Sequence, residues 1–257
     1  MASEYESYFS LLEHEADLVY QLAKQARERG LDPSFDVEVP RAKDMASRVE
    51  SLVGPHGVAE LIRKLDKSGL QREVVSLKVA ERICHGDFGE MSIEESAEQA
   101  VRTSLAILTE GIVSAPLEGI ASIKVKHNPD GTKYLAIYFA GPIRSAGGTA
   151  AAMAVLITDY VRQKLHLDGY KVMADEIERF YEEVQLYDRN VRLQYKPSYE
   201  DVKAALEHIT VEVTGETTDK IEVTGYRDLE RIETNCLRGG AMLALCEGVL
   251  QKASKIL

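Results

Sequence analysis

A chain of 257 residues has room for one large domain or two small ones with a real core, and its 45% hydrophobic content is that of an ordinary folded protein. No apolar run approaches the ~20 residues of a membrane helix, and the opening MASEYESYFS is too acidic and polar for a secretory leader, so a cytoplasmic protein with no membrane partner is expected. The net charge of −11 excludes the overall basic excess of an independent nucleic-acid binder, while three cysteines outside any CxxC pair and six scattered histidines argue against a disulfide framework or a zinc ribbon.

The first predicted element is a helix over residues 3–29. Ser3 and Glu6 have capping-box spacing, and Phe9, Leu12, Ala16, Val19 and Ala23 recur at helical intervals. Leu11, Leu18 and Leu22 widen that face, and Gly30 is a stop signal. The following LDPSFDVEVPRAKD, with Pro33 and Pro40, reads as a linker. Residues 1–41 are therefore expected to form an N-terminal helix and linker arm, either docked on a partner or packed on its own domain.

Residues 42–119 read as a helical subdomain. Leu52, Val58, Leu61, Ile62 and Leu65 carry one amphipathic group, and Val74 to Cys84 another. Ser92 and Glu95 form a second capping box before the face Ala97, Ala100, Val101, Leu105, Leu108 and Ile112. Pro116 and Gly119 end the helical half.

Residues 120–257 change texture and read as an α+β subdomain. SIKVKHNPDGTKYLAIYF alternates around the turn Asn128-Pro129-Asp130-Gly131, which predicts a hairpin with Ile123, Val125, Leu135, Ile137 and Phe139 inward. Lys124, Lys126 and Lys133 with Tyr134 and Tyr138 read either as its solvated side or as a stacking platform for nucleic acid. After FAGPIRSAGGTA comes an alanine-rich helix from about Thr149 to Leu165. A further helix over 175–192 has the stripe Ile177, Phe180, Val184, Tyr187 and Val191; its acids Asp175, Glu176, Glu178, Glu182 and Glu183 read as a solvated face rather than a metal site. Pro197, Ser198 and Glu200-Asp201 start a short helix reaching His208, and TVEVTGETTDKIEVTGY predicts a second hairpin.

Each hairpin is followed by an arginine, two glycines and an apolar helix: Arg144 with Gly147-Gly148, and Arg238 with Gly239-Gly240. The expected fold class is α+β, with a helical N-terminal half followed by two β-hairpin/Arg-Gly-Gly/helix units that form a small sheet of four or more strands packed by helices. A Gly-Gly step at a helix start lets another backbone approach and exposes N–H groups that suit phosphate. Arg144, Gly147, Gly148, Asn235, Arg238, Gly239 and Gly240 are therefore candidate contacts to nucleic acid or a neighbouring domain. The alternative is helix–sheet packing, with the arginines paired to carboxylates such as Glu230 or Glu233. The P-loop lysine, the full GxGxxG, the GxSxG elbow, a DxD pair and a plausible Cys–His couple are all missing, so no catalytic or metal-binding residue is assigned.

Two long strings, YFAGPIRSAGGTAAAMAVLITDYVR and YRDLERIETNCLRGGAMLALCEG, resemble the N-terminal region of the large subunit of archaeal family D DNA polymerase, also called DNA polymerase II. The resemblance covers nearly the whole chain. It implies a heterodimeric replicative polymerase for template-directed DNA synthesis, whose large subunit holds magnesium on aspartates and whose small subunit is a 3′–5′ exonuclease. The aspartate motif has no counterpart in these residues, so no catalytic residue carries over and no cofactor is expected on this stretch. With KASKIL reading as part of a continuing helix, a cut N-terminal fragment is expected, serving as a scaffold. The partners implied are the small subunit, the remainder of the large subunit, DNA in the holoenzyme and a second copy in a homodimer. A stand-alone nucleic-acid- or phosphate-binding module, or a small enzyme of phosphorylated substrates, is the competing reading.

Overall fold

The computed structural model describes residues 2–31, 42–110, 112 and 114–252. The linker prolines and the last five residues of KASKIL lie outside them. The chain divides into two compact units, Met1–Arg41 and Ala42–Leu257.

The first unit holds helix α1 (Ala2–Glu28), after which Gly30 adopts φ +69°. Starting at Ala2, the helix takes Ser3 into its first turn rather than leaving it at the cap. Phe9, Leu12 and Val19 are exposed on it.

In the second unit the predicted helical stretch resolves into α2 (Met45–Leu52), α3 (Val58–Lys67), α4 (Arg72–Cys84) and α5 (Ile93–Leu108). Asp44 starts α2 by accepting the Ser47 N–H at 2.7 Å. The Ser92/Glu95 capping box forms as expected at the start of α5. A widened helical turn, Ser114–Gly119, leads into β1 (Ile120–His127) and β2 (Lys133–Phe139). These two strands are antiparallel with Lys126 opposite Tyr134, and Gly131 turns the chain at φ +82°. Next come α6 (Ile143–Ala146), α7 (Gly148–Lys164), α8 (Ala174–Asn190) and α9 (Tyr199–His208), the last opened by the Ser198/Asp201 box.

The second hairpin does not form. β3 (Glu212–Gly215) lies parallel to β2, with Ala136 opposite Glu212, and completes a sheet of order β1-β2-β3. β4 (Asp219–Glu222) leaves that sheet and pairs with β5 (Cys236–Leu237). Alternation in residues 210–226 marks two strands but not their partners. Burial of Val211 and Val213 decides the first, and the helices α6–α9 supply the long crossover that a parallel neighbour requires. α10 (Gly239–Leu243) continues as a wider helix over Ala244–Leu250. The class is α+β, with strands divided three and two rather than joined in one sheet of four or more.

One core joins these elements. Val49, Ile62, Val79 and Leu105 of the helices pack in a continuous cluster with Ile123, Leu135, Ile137 and Phe139 of the sheet, Ile157 of α7 and Leu245 after α10. The opposite face of β2 carries a small second cluster, Tyr134, Ala136 and Tyr138, against Ala121 and Tyr170.

Candidate nucleic-acid or interdomain interface

The tyrosines of the hairpin are covered, while Lys133 stays exposed. Tyr134 and Tyr138 are buried, so they are not stacking platforms. The Tyr134 hydroxyl donates to Glu212 and that of Tyr138 to Glu233, each at 2.8 Å. Lys126 reaches Glu212 at 2.9 Å, and Lys124 reaches Glu233 at 3.2 Å while lying 4.2 Å from the centre of the Tyr138 ring. Burial, then the nearby Glu212 carboxylate, pushes the Tyr134 hydroxyl well above its ordinary range. A strap formed by residues 223–234 lies over this face. Its Arg231 bonds Glu176 through Nε at 2.8 Å and Nη2 at 2.5 Å and stands 5.0 Å from the Tyr170 ring.

The acids of α8 are not a solvated face. Glu183 and Arg179 are wholly buried and paired at 2.7 Å. Arg238 joins them at 2% exposure: Nη2 donates to Glu183 at 2.9 Å, Nε donates to the same carboxylate at 3.1 Å, and Nη1 donates to the Thr214 hydroxyl at 2.9 Å. Arg179 also donates to the carbonyls of Tyr226 and Thr234, at 2.9 and 2.7 Å. Glu182 accepts the N–H groups of Thr224, Gly225 and Tyr226. Burial alone would raise the Glu182 carboxyl, but those N–H donors and the Thr224 hydroxyl outweigh it and hold it below its ordinary value. Glu178 accepts the Tyr199 hydroxyl. The signal in the sequence was the spacing of Glu176, Arg179 and Glu183, which places three charges beside the apolar stripe instead of opposite it.

The two glycine turns pack against each other. A Cβ on Gly240 would sit 2.5 Å from the carbonyl oxygen of Phe139, which leads into the first turn; one on Gly148 would sit 2.1 Å from that of Glu247, which follows the second. Each unit thus receives the other's backbone where a side chain is missing. Gly239 is closed instead by the side chains of Thr218 and Tyr187. Gly147 differs: a Cβ there meets nothing within 4 Å, but φ +85° with ψ 160° is a backbone that only glycine adopts readily.

The seven candidates therefore differ in their surroundings. Arg238, Gly239 and Gly240 are buried, and the partner of Arg238 is Glu183, not Glu230 or Glu233. Asn235 closes its own loop, accepting from the Asp228 N–H at 2.9 Å and donating to the Asp228 carboxylate at 2.7 Å. Gly148 lies in the helix crossing, while Arg144 and Gly147 are exposed, Arg144 beside the Tyr187 phenol. The recess that Arg144, Gly147 and Gly148 line with Glu247 holds only about 10 Å³, scarcely one water. A phosphate would meet Arg144 at the surface, not in a formed pocket.

The described residues contain no group of three or more histidine, cysteine or acidic side chains arranged for a metal ion. Glu176, Glu183 and Glu212 are each bound by cationic side chains. Magnesium therefore finds no fitting ligand set among them. Cys84 and Cys246 are half-buried and buried thiols pushed up by desolvation, to about 11 and about 12, which makes both poor nucleophiles at neutral pH. No described helix is long and apolar enough to cross a membrane.

These features define an α+β unit whose buried acids and arginines bind one another. The family described as "DNA polymerase II large subunit DP2, N-terminal" matches residues 7–257. Similar proteins named DNA polymerase II large subunit include those of Pyrococcus horikoshii (58% identical over 100% of this chain), Thermococcus kodakarensis (59% over 98%) and Methanococcus vannielii (56% over 97%). The chain belongs to this family of large-subunit N-terminal regions. It spans 18%, 14% and 22% of those three relatives, respectively.

Proposed function

We propose that this chain is an assembly region of the large subunit of a heterodimeric archaeal DNA polymerase. In this reading it holds the rest of that subunit, meets the small exonuclease subunit and DNA within the holoenzyme, and can pair with a second copy. Nucleotidyl transfer and its magnesium belong to parts of the large subunit beyond these residues. The observation that carries the reading is the family match over 7–257, joined to an interior where the conspicuous acids and arginines bind one another.

The test is primer extension by the reconstituted two-subunit polymerase with and without this region, alongside co-purification of the subunits. The expected result is loss of assembly and of extension together when the region is omitted. Full extension by a stably assembled enzyme lacking it would refute the proposal.

One observation favours a contribution to DNA contact: Arg144 stands exposed beside Gly147. In this reading, anisotropy of labelled primed DNA with the 257-residue chain shows binding that weakens steeply with salt. Arg144→Ala then lowers affinity with little change in melting temperature. Unchanged DNA binding by the variant removes Arg144 from the interface.

A further inference from the structure

The consecutive helices α3 and α4 carry a groove that none of the contacts above uses. It holds about 330 Å³ and is lined by Leu61, Lys64 and Leu65 of α3 and by Lys78, Glu81 and Arg82 of α4. Leu61 and Leu65 are half-buried and four residues apart, forming an apolar row. Lys78 and Arg82 are exposed, also four apart, and form a cationic row facing it. The groove's single acid, Glu81, is taken up by Lys164 of α7 at 2.5 Å. Arg82 pairs with Asp87, while Lys64 and Lys78 have no carboxylate partner among the described residues. Residues 58–84 carry a net charge of +2 in a chain of net −11, so the groove is a basic exception on an acidic protein.

We propose that the α3–α4 groove is a docking site for an acidic amphipathic helix of another polypeptide. Such a helix would lay two aliphatic side chains, one turn apart, on Leu61 and Leu65. Its carboxylates, at the same spacing on the flank, would meet Lys78 and Arg82, with Lys64 at the other rim. Residues four apart on a helix rise about 6 Å, so both rows match a docked helix in register. The leucine floor argues for a peptide over a phosphate backbone, which has nothing to place on it. The groove is remote in sequence from the glycine turns, and the proposal does not rest on the polymerase reading.

The test is fluorescence anisotropy with the 257-residue chain and two labelled probes. One is a helical peptide of about 15 residues with leucines four apart and glutamates on the flank. The other is a short DNA duplex. The peptide is expected to bind saturably, and Lys78→Glu with Arg82→Glu is expected to weaken it about ten-fold or more. Leu61→Ser with Leu65→Ser is expected to weaken it as well. The charge variants alter exposed side chains, and far-UV circular dichroism checks that they fold. Three outcomes overturn the proposal: no saturable peptide binding, peptide binding indifferent to the charge reversals, or tighter binding of the duplex that the charge variants abolish and the leucine variants leave intact. The last would make the groove a nucleic-acid patch.

Discussion

Arg238 shows how far a single side chain can depart from its first reading. An arginine before two glycines suggests an anion waiting outside. Here the anion is Glu183, inside, and the same carboxylate also pairs with Arg179. Glu183→Gln leaves two buried guanidinium groups without their counter-charge, and removing one partner of such a group costs about 3–5 kcal/mol. Urea denaturation should show that loss; a variant as stable as the parent would mean the pair is not buried as described. The glycines make a graded prediction. Gly240→Ala drives a methyl into the Phe139 carbonyl and should be strongly destabilising. Gly147→Ala meets open space and costs only backbone strain, about 1–3 kcal/mol. Melting temperatures of the two variants decide the order. Cys84 and Cys246, held protonated by burial, should react with iodoacetamide far more slowly in the native protein than in urea. Equal rates would show that these thiols are not desolvated.

At the scale of elements, α8 is the organiser. Its buried face binds the core through Ile177, Phe180 and Val184, and its charged residues hold the strap. Much of the strap's attachment is therefore polar and depends on pH. The folded Glu182 carboxyl lies below its ordinary value of 4.5. Its contribution is fully present above that value and is lost as pH falls through the lower folded value. Stability measured from pH 7 down to 3 should decline below about 4.5, and Glu182→Gln should be less stable at neutral pH but lose less on acidification. Parallel pH profiles for parent and variant would exclude Glu182 as the acid-sensitive fastening. The helices themselves were plain in the sequence, since capping residues such as Ser92 and Ser198 act over three residues and apolar periodicity over a few turns. The partner of β3 was not, because alternation says which residues share a face and nothing about which strand lies beside it.

For the molecule as a whole, the continuous core from α2 to the helix after α10 predicts a single cooperative unfolding unit. Amides of Val101 and Leu105 in α5 should then exchange hydrogen with the same free energy as those of Leu135 and Ile137 in β2. Two distinct global values would divide the helical part from the α+β part. The candidate site was legible in the sequence only as residue types. Local pattern and resemblance were enough to place the helices, the first hairpin, the Gly-Gly turns and the family, because each is written in residues near one another along the chain. Tertiary structure alone decided that Arg238 faces inward to Glu183, that Tyr134, Tyr138 and Lys126 lie under a strap, and that Arg144 and Gly147 remain at the surface. Those outcomes depend on which distant backbone comes to lie against each side chain, and on whether water or a carboxylate is there to meet its charge.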